Sequence, residues 1–132
     1  MNKVRFMFSV LSILFVSIQA KVISVVGQDQ LDKIKKDHLK VVIKFYRPTC
    51  PACKEIAKPF VNVSDDIDLK DVLFASVDLN NKINKSAKDS NNIAYVPTIR
   101  IYKDGVMQES RARRKRGPYA HNLKQELLGM FQ

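Results

Sequence analysis

Apolar residues along the chain fall into short blocks whose period changes from one block to the next. Val22 to Val26 is a β-branched run closed by Gly27, which predicts a first strand. From Asp29 to His38 only Leu31 and Ile34 are apolar, three positions apart among charges, so this segment reads as an amphipathic helix. Val41 to Tyr46 is apolar except for Lys44, as suits a central strand covered on both faces. Helical spacing returns from Lys54 to Val63, with Ile56, Phe60 and Val63 on one side and Pro59 expected to kink the helix. Ser64 to Lys70 is polar and acidic, a loop, and Val72 to Val77 forms the next strand, ending at Asp78. The Asn- and Lys-rich stretch from Leu79 to Asn92 is read as holding a short helix with Ile83 and Ala87 inward. Thr98 to Tyr102 and Val106 onward are strands joined through Asp104-Gly105, a dipeptide that favours a tight hairpin. Pro118 suits a first helical position, and Leu123, Leu127 and Leu128 mark a last amphipathic helix.

Strand and helix alternate three times before the hairpin and the final helix. The alternation implies parallel crossovers, and the hairpin adds antiparallel strands to the same sheet. The expected class is α/β, a mixed central sheet of four to five strands flanked by helices. No internal repeat or low-complexity tract interrupts it.

The first twenty residues break this pattern. Lys3 and Arg5 make a positive start, no acid occurs before Asp29, and Phe6 to Ile18 is interrupted only by Ser9, Ser12 and Ser17. That run is too short to cross a bilayer as a helix, which takes about 20 residues. It fits the apolar region of a secretory signal peptide over residues 1–20, cleaved after Ala20, although Ile18 is bulkier than the small residue preferred there. A buried N-terminal helix or an uncleaved anchor is the competing reading. The remaining residues, 21–132, make one domain. With 132 residues and 45% apolar content the chain affords one modest core, and disorder is not expected.

Cys50 and Cys53 are the only cysteines. Small exported domains held by disulfide frameworks usually carry four or more, and one close pair staples little of the chain. The pair is therefore read as chemical. Cys50-Pro51-Ala52-Cys53 follows a buried strand and opens a helix, where unpaired N–H groups and the positive dipole end favour a thiolate at Cys50. Cys53, one turn inward, is expected to be buried and protonated. Cys50 would attack a partner disulfide and Cys53 would resolve the mixed disulfide.

The run Phe45-Tyr46-Arg47-Pro48-Thr49-Cys50-Pro51-Ala52-Cys53-Lys54 resembles the consensus Phe-Tyr-Ala-Pro-Trp-Cys-Gly-x-Cys-Lys of the thioredoxin and protein disulfide isomerase superfamily. Tyr95-Val96-Pro97-Thr98 matches its cis-proline segment, and Lys103-Asp104-Gly105 its hairpin. The resemblance covers about residues 22 to 131 and implies the thioredoxin fold, a cis Pro97, and a substrate-binding edge formed by Val96, Pro97 and Thr49. An ordinary trans proline in a turn is the alternative for Pro97. The resemblance implies protein or peptide thiols and disulfides as partners, with a redox-recycling partner; no cofactor and no metal beyond the redox-active cysteine pair is expected, and a monomer is expected.

Three departures from the consensus bear on redox tuning. Lys44 stands where the superfamily has a buried acid, and cannot act as that carboxylate. Pointing inward, its ammonium would favour a thiolate and make the disulfide more oxidising, while burial lowered its own pKa. Alternatively its stem packs and its head reaches water. Thr49 replaces the usual tryptophan. Pro51-Ala52 differs from both the thioredoxin and isomerase dipeptides and is more similar to periplasmic disulfide-forming and glutaredoxin-type sites.

The formal net charge is +10, and Arg111, Arg113, Arg114, Lys115 and Arg116 place five cations in six positions. The segment reads either as a charged edge that blocks sheet pairing or as a dock for acidic partners. Aromatic interleaving of the kind nucleic-acid platforms use is missing, so no nucleic acid is expected. His38 and His121 lack the paired spacing of metal ligands. Asn62-Val63-Ser64 and Asn84-Lys85-Ser86 are glycosylation acceptors only in a eukaryotic secretory pathway.

The expected function is thiol–disulfide exchange on exported proteins, in the periplasm or a secretory lumen, tilted towards oxidation. A reductant serving another periplasmic pathway, such as cytochrome maturation, is the enzymatic alternative. A non-catalytic binding module docking acidic partners through residues 111–116 is the alternative from another class.

Overall fold

The computed structural model describes residues 22–108 and 119–132 of the chain. The leader reading, the basic segment at 111–116 and Pro118 fall outside them. Five strands form one mixed sheet: β1 (Val22–Ser24), β2 (Lys40–Tyr46), β3 (Leu73–Asp78), β4 (Thr98–Lys103) and β5 (Val106–Gln108). Its order is β1-β3-β2-β4-β5, with β1 and β2 parallel to β3, and β4 antiparallel to both β2 and β5. Four helices flank it: α1 (Gln28–Asp37), α2 (Pro51–Ser64), α3 (Lys85–Ser90) and α4 (Tyr119–Phe131). The helix α2 continues through Pro59 to Ser64.

The alternation along β2 divides the core in two. Val41, Ile43 and Phe45 join Leu31 and Ile34 of α1 and Ala87 of α3 on one side of the sheet. Val42 joins Phe60 and Val63 of α2 and Leu123, Leu127 and Phe131 of α4 on the other. Lys44 belongs to this second face by the same alternation. There Phe60 meets Phe74 edge to face, with ring centroids 5.6 Å apart. The β4–β5 turn has Asp104 at φ 53° and Gly105 at φ 77°, the left-handed pair that a two-residue hairpin requires.

Two details depart from the sequence reading. Ile83 is 65% exposed rather than inward, and the residue buried there is Asn84. A 3-10 turn over Lys82–Asn84, capped by the Asn81 side chain, rotates Ile83 out. The Asn84 side chain accepts from the Gly27 N–H at 2.7 Å and donates to the Asp78 carbonyl at 2.8 Å, joining the start of α1 to the end of β3. Within the segment read as a loop, Ile67–Leu69 forms a 3-10 turn that buries Leu69 under the α2 face.

Candidate active site

Strand β2 ends at Tyr46, and four residues later the chain enters α2. Pro51 occupies the first helical position, where its missing N–H costs nothing and its fixed φ starts the turn. Cys50 therefore becomes the N-cap, in extended conformation at φ −82° and ψ 120°. Its Sγ accepts from the Cys53 N–H at 3.2 Å, as a capping oxygen would. Cys53 faces the sheet. Cys50 is half-buried and reachable, whereas Cys53 is 3% exposed, and both thiols are free.

The two sulfurs are electrically distinct. The Cys50 thiol is held below its ordinary value, first by the hydrogen bond it receives from the Cys53 thiol. The N–H groups of Cys53 and Ala52 and the charge of Arg47 act in the same direction, against burial. The Cys53 thiol is pushed up, first by burial, then by donating to Cys50 and by the negative charge there. A backbone hydrogen bond from Arg47 and the charge of Lys44 pull it back. One accessible thiol whose ionisation is eased, beside a buried thiol whose ionisation is opposed, is an arrangement that can serve two-step disulfide exchange.

Opposite the cysteines, the Val96–Pro97 peptide bond is cis. The Cys50 thiol points at the Val96 carbonyl, 4.0 Å away. The Thr98 hydroxyl donates to the Tyr95 carbonyl at 2.6 Å and pins the turn that presents Val96. Tyr95 itself projects outward, 57% exposed.

Behind the cysteines lies Lys44, 7% exposed. Its Nζ stands 4.9 Å from the ring centre of Phe60 and 5.1 Å from that of Tyr46. Burial lowers its pKa, and the negative charge available at Cys53 opposes that shift. Burial, with the Asp78 charge adding, raises the hydroxyl pKa of Tyr46.

The thioredoxin family model matches residues 21–126. The chain belongs to the thioredoxin family. It is similar to a protein disulfide-isomerase of Medicago sativa, 33% identical over 76 residues, a match covering 56% of this chain and 15% of that protein. The chain thus corresponds to a small part of that relative's length. A thioredoxin H-type of Chlamydomonas reinhardtii is 36% identical over 77 residues, covering 58% of this chain and 66% of that one. In fold the chain resembles the thioredoxin of Trypanosoma brucei brucei, with TM-score 0.72 at 22% identity, covering 88% and 96% of the two chains. At the family level the thioredoxin match supports thiol–disulfide oxidoreductase chemistry.

On this thioredoxin scaffold Cys50, Cys53 and Val96 come together, with Thr49, Pro51 and Ala52 exposed around Cys50. Among the described residues no cluster of three or more His, Cys, Asp or Glu is placed to hold a metal, and no helix is long and apolar enough to cross a membrane. Sequence reasoning missed the ring enclosure of Lys44. The alternation in β2 carried that signal, since Phe45 inward towards α1 puts Lys44 and Tyr46 together towards α2.

Proposed function

We propose that this chain exchanges disulfides with exported client proteins, using Cys50 as nucleophile and Cys53 as resolving thiol, as a monomer without a cofactor. The observation that carries the reading is the Cys50 N-cap, half-exposed, supplied with hydrogen bonds from Cys53 and facing the Val96 carbonyl. In the reducing direction the Cys50 thiolate attacks one sulfur of a client disulfide. The client S–S bond breaks, and its second sulfur leaves as a thiolate that takes a proton from water. Cys53, having lost its proton to water, then attacks Cys50 Sγ. The second client thiolate leaves, and two electrons have passed from the cysteine pair to the client. The oxidising direction is the reverse, with a dithiol/disulfide partner restoring the pair.

Val96, Pro97 and Thr49 would border the client segment. The cation at Lys44 and the Pro51-Ala52 dipeptide favour the oxidising direction, because whatever stabilises a thiolate stabilises the reduced form of the pair. Residues 1–20 would direct export and be removed after Ala20.

The test compares wild type with Cys50→Ser in insulin reduction and in oxidative refolding of a reduced client, with the potential of the pair set against glutathione. Loss of both activities in the variant supports the reading, and wild-type activity in the variant overturns it. A potential near the thioredoxin value of about −270 mV would reverse the tilt towards oxidation. N-terminal sequencing of the exported chain, with Lys21 as the expected first residue, checks the leader.

A further inference from the structure

Among the described residues the buried charged side chains are Lys44 and Arg100, and Lys44 is the one on the cysteine face of the sheet. Every element packed around it can be searched for a counter-charge. Its own strand offers Tyr46, and α2 offers Cys53 and the ring of Phe60. Its register partner on β3 is Ser76, with Asp78 two residues on, opposite Tyr46. Its partner on β4 is Ile99, and α4 presents Leu123, Leu127 and Phe131 to this layer. Among the described residues no carboxylate lies within ion-pair distance of Lys44. The charge it senses is that of Cys53, through buried space where charges are weakly screened.

We propose that Lys44 is a positioning residue for the resolving step, the buried cation that lets Cys53 become a thiolate. The inference rests on the exchange reaction proposed above and divides it. Cys50 is reachable and already receives hydrogen bonds from Cys53 and Ala52, so the first attack runs without Lys44. In the mixed disulfide Cys50 no longer carries charge, and Cys53 has lost its hydrogen-bond acceptor. Cys53 must then ionise in a buried site, and Lys44 supplies the compensating charge. The Cys53 proton passes to water, the Cys53–Cys50 bond forms, and the Cys50–client bond breaks. The electron pair leaves on the client sulfur, which is protonated from water. The Phe60 and Tyr46 rings hold the ammonium in place through their negative faces, at a cost in binding a compact, hydrated cation.

The test separates the two steps with oxidised glutathione as probe. Rapid mixing, acid quench and mass spectrometry follow the mixed disulfide on Cys50 as it forms and decays, in wild type, Lys44→Met and Lys44→Gln. Formation is also measured in a Cys53→Ser background, where the mixed disulfide accumulates. We expect both variants to form it at the wild-type rate and to resolve it about tenfold more slowly near neutral pH, since an opposite charge shifts a pKa by about one unit or more. The deficit should close at alkaline pH, where Cys53 ionises unaided. In a Cys50→Ser background, ultraviolet thiolate absorbance should show Cys53 titrating at higher pH in Lys44→Met.

Equal slowing of both steps would mark a merely structural role and overturn the proposal. Resolution at the wild-type rate with an unmoved Cys53 titration would overturn it too, leaving the exchange reading intact. No mixed disulfide on wild-type Cys50 would overturn the exchange reading and this inference with it.

Discussion

The two faces of the sheet bury polar groups in different ways. Under α1 and α3 they are fastened by hydrogen bonds to neighbouring backbone and side-chain groups. Asn84 joins Gly27 to Asp78, and the Asn91 amide donates to the Gln28 side chain at 3.0 Å and to the Ala87 carbonyl at 2.6 Å. The Arg100 guanidinium donates to the Asn91 carbonyl at 3.4 Å. The amides keep one state at any ordinary pH, so those bonds serve as glue. Under α2 the Ser64 hydroxyl is tied in the same way, donating to the Val61 carbonyl at 2.6 Å, but Cys53 and Lys44 are not: Lys44 meets aromatic rings, and the two meet each other's charge. Burial opposes the charged form of both, each favours the charge of the other, and one changes its covalent partner. A polar group bound by fixed donors and acceptors stabilises one structure, whereas one left to charge and burial can take part in a reaction.

Substitutions can break this division. The largest effect belongs to the α2 face: Cys50→Ala should lower exchange turnover by more than ~10³-fold. Cys50 is half-buried but caps α2, so the same change should cost the reduced protein about 1 kcal/mol, the loss of one helix cap. Denaturant unfolding beside an insulin assay reads both, and a stability loss comparable to that of a core deletion would blur the division.

The opposite pattern is expected on the other face. Leu31→Ala empties a fully buried site against Val41, Ile43 and Phe45 and should cost about 2–5 kcal/mol. Alkylation of Cys50 in the folded fraction should proceed at the wild-type rate. Asn84→Ala comes next, at about 2 kcal/mol, because it strips the Gly27 N–H of its partner and leaves the Asp78 carbonyl with only the Asn81 N–H. If Asn84→Ala instead slowed Cys50 alkylation while leaving stability intact, the face under α1 and α3 would have to be counted as part of the site.

The fold was legible where one element dictates its own character. The apolar run of β2, the spacing of Leu31 and Ile34, and the Asp104-Gly105 turn each announce themselves locally, and the sheet has the five strands and mixed pairing expected. The region around Ile83 was misread because a 3-10 turn repeats every three residues. The pull that turns Asn84 inward comes from Gly27, distant in sequence, and local periodicity cannot display it. The cysteine pair was legible from its place between strand and helix. The direction of Lys44 was left between two readings, since alternation names the face but not the depth. Phe60 of α2, folded over from the far side of the cysteine turn, decides that the head stays under cover.

The smallest expected effect is on stability, and it asks whether Lys44 is held for structure or for chemistry. Burial lowers the pKa of Lys44 in the folded protein below its ordinary 10.5, so folding disfavours its charged form. The resulting destabilisation is fully present at pH values below the lowered folded pKa. Between that pKa and 10.5 the unfolded chain binds the extra proton, and stability gains with rising pH. Lys44→Met removes the group, so the variant should be more stable than wild type by about 1–2 kcal/mol near neutral pH. The advantage should shrink steadily into the alkaline range. Measured on the disulfide form, neither cysteine titrates in that window. Tyr102, distant from the substitution, loses stability with pH alike in both proteins, and a paired Tyr46→Phe background removes the one tyrosine that touches the ammonium. A Lys44→Met protein less stable than wild type would mean that the ammonium is a structural asset. A constant gap at every pH would mean that it is not desolvated by folding. A gap that closes with pH leaves a charge that costs the fold stability, on the side of the sheet where the sulfur chemistry occurs.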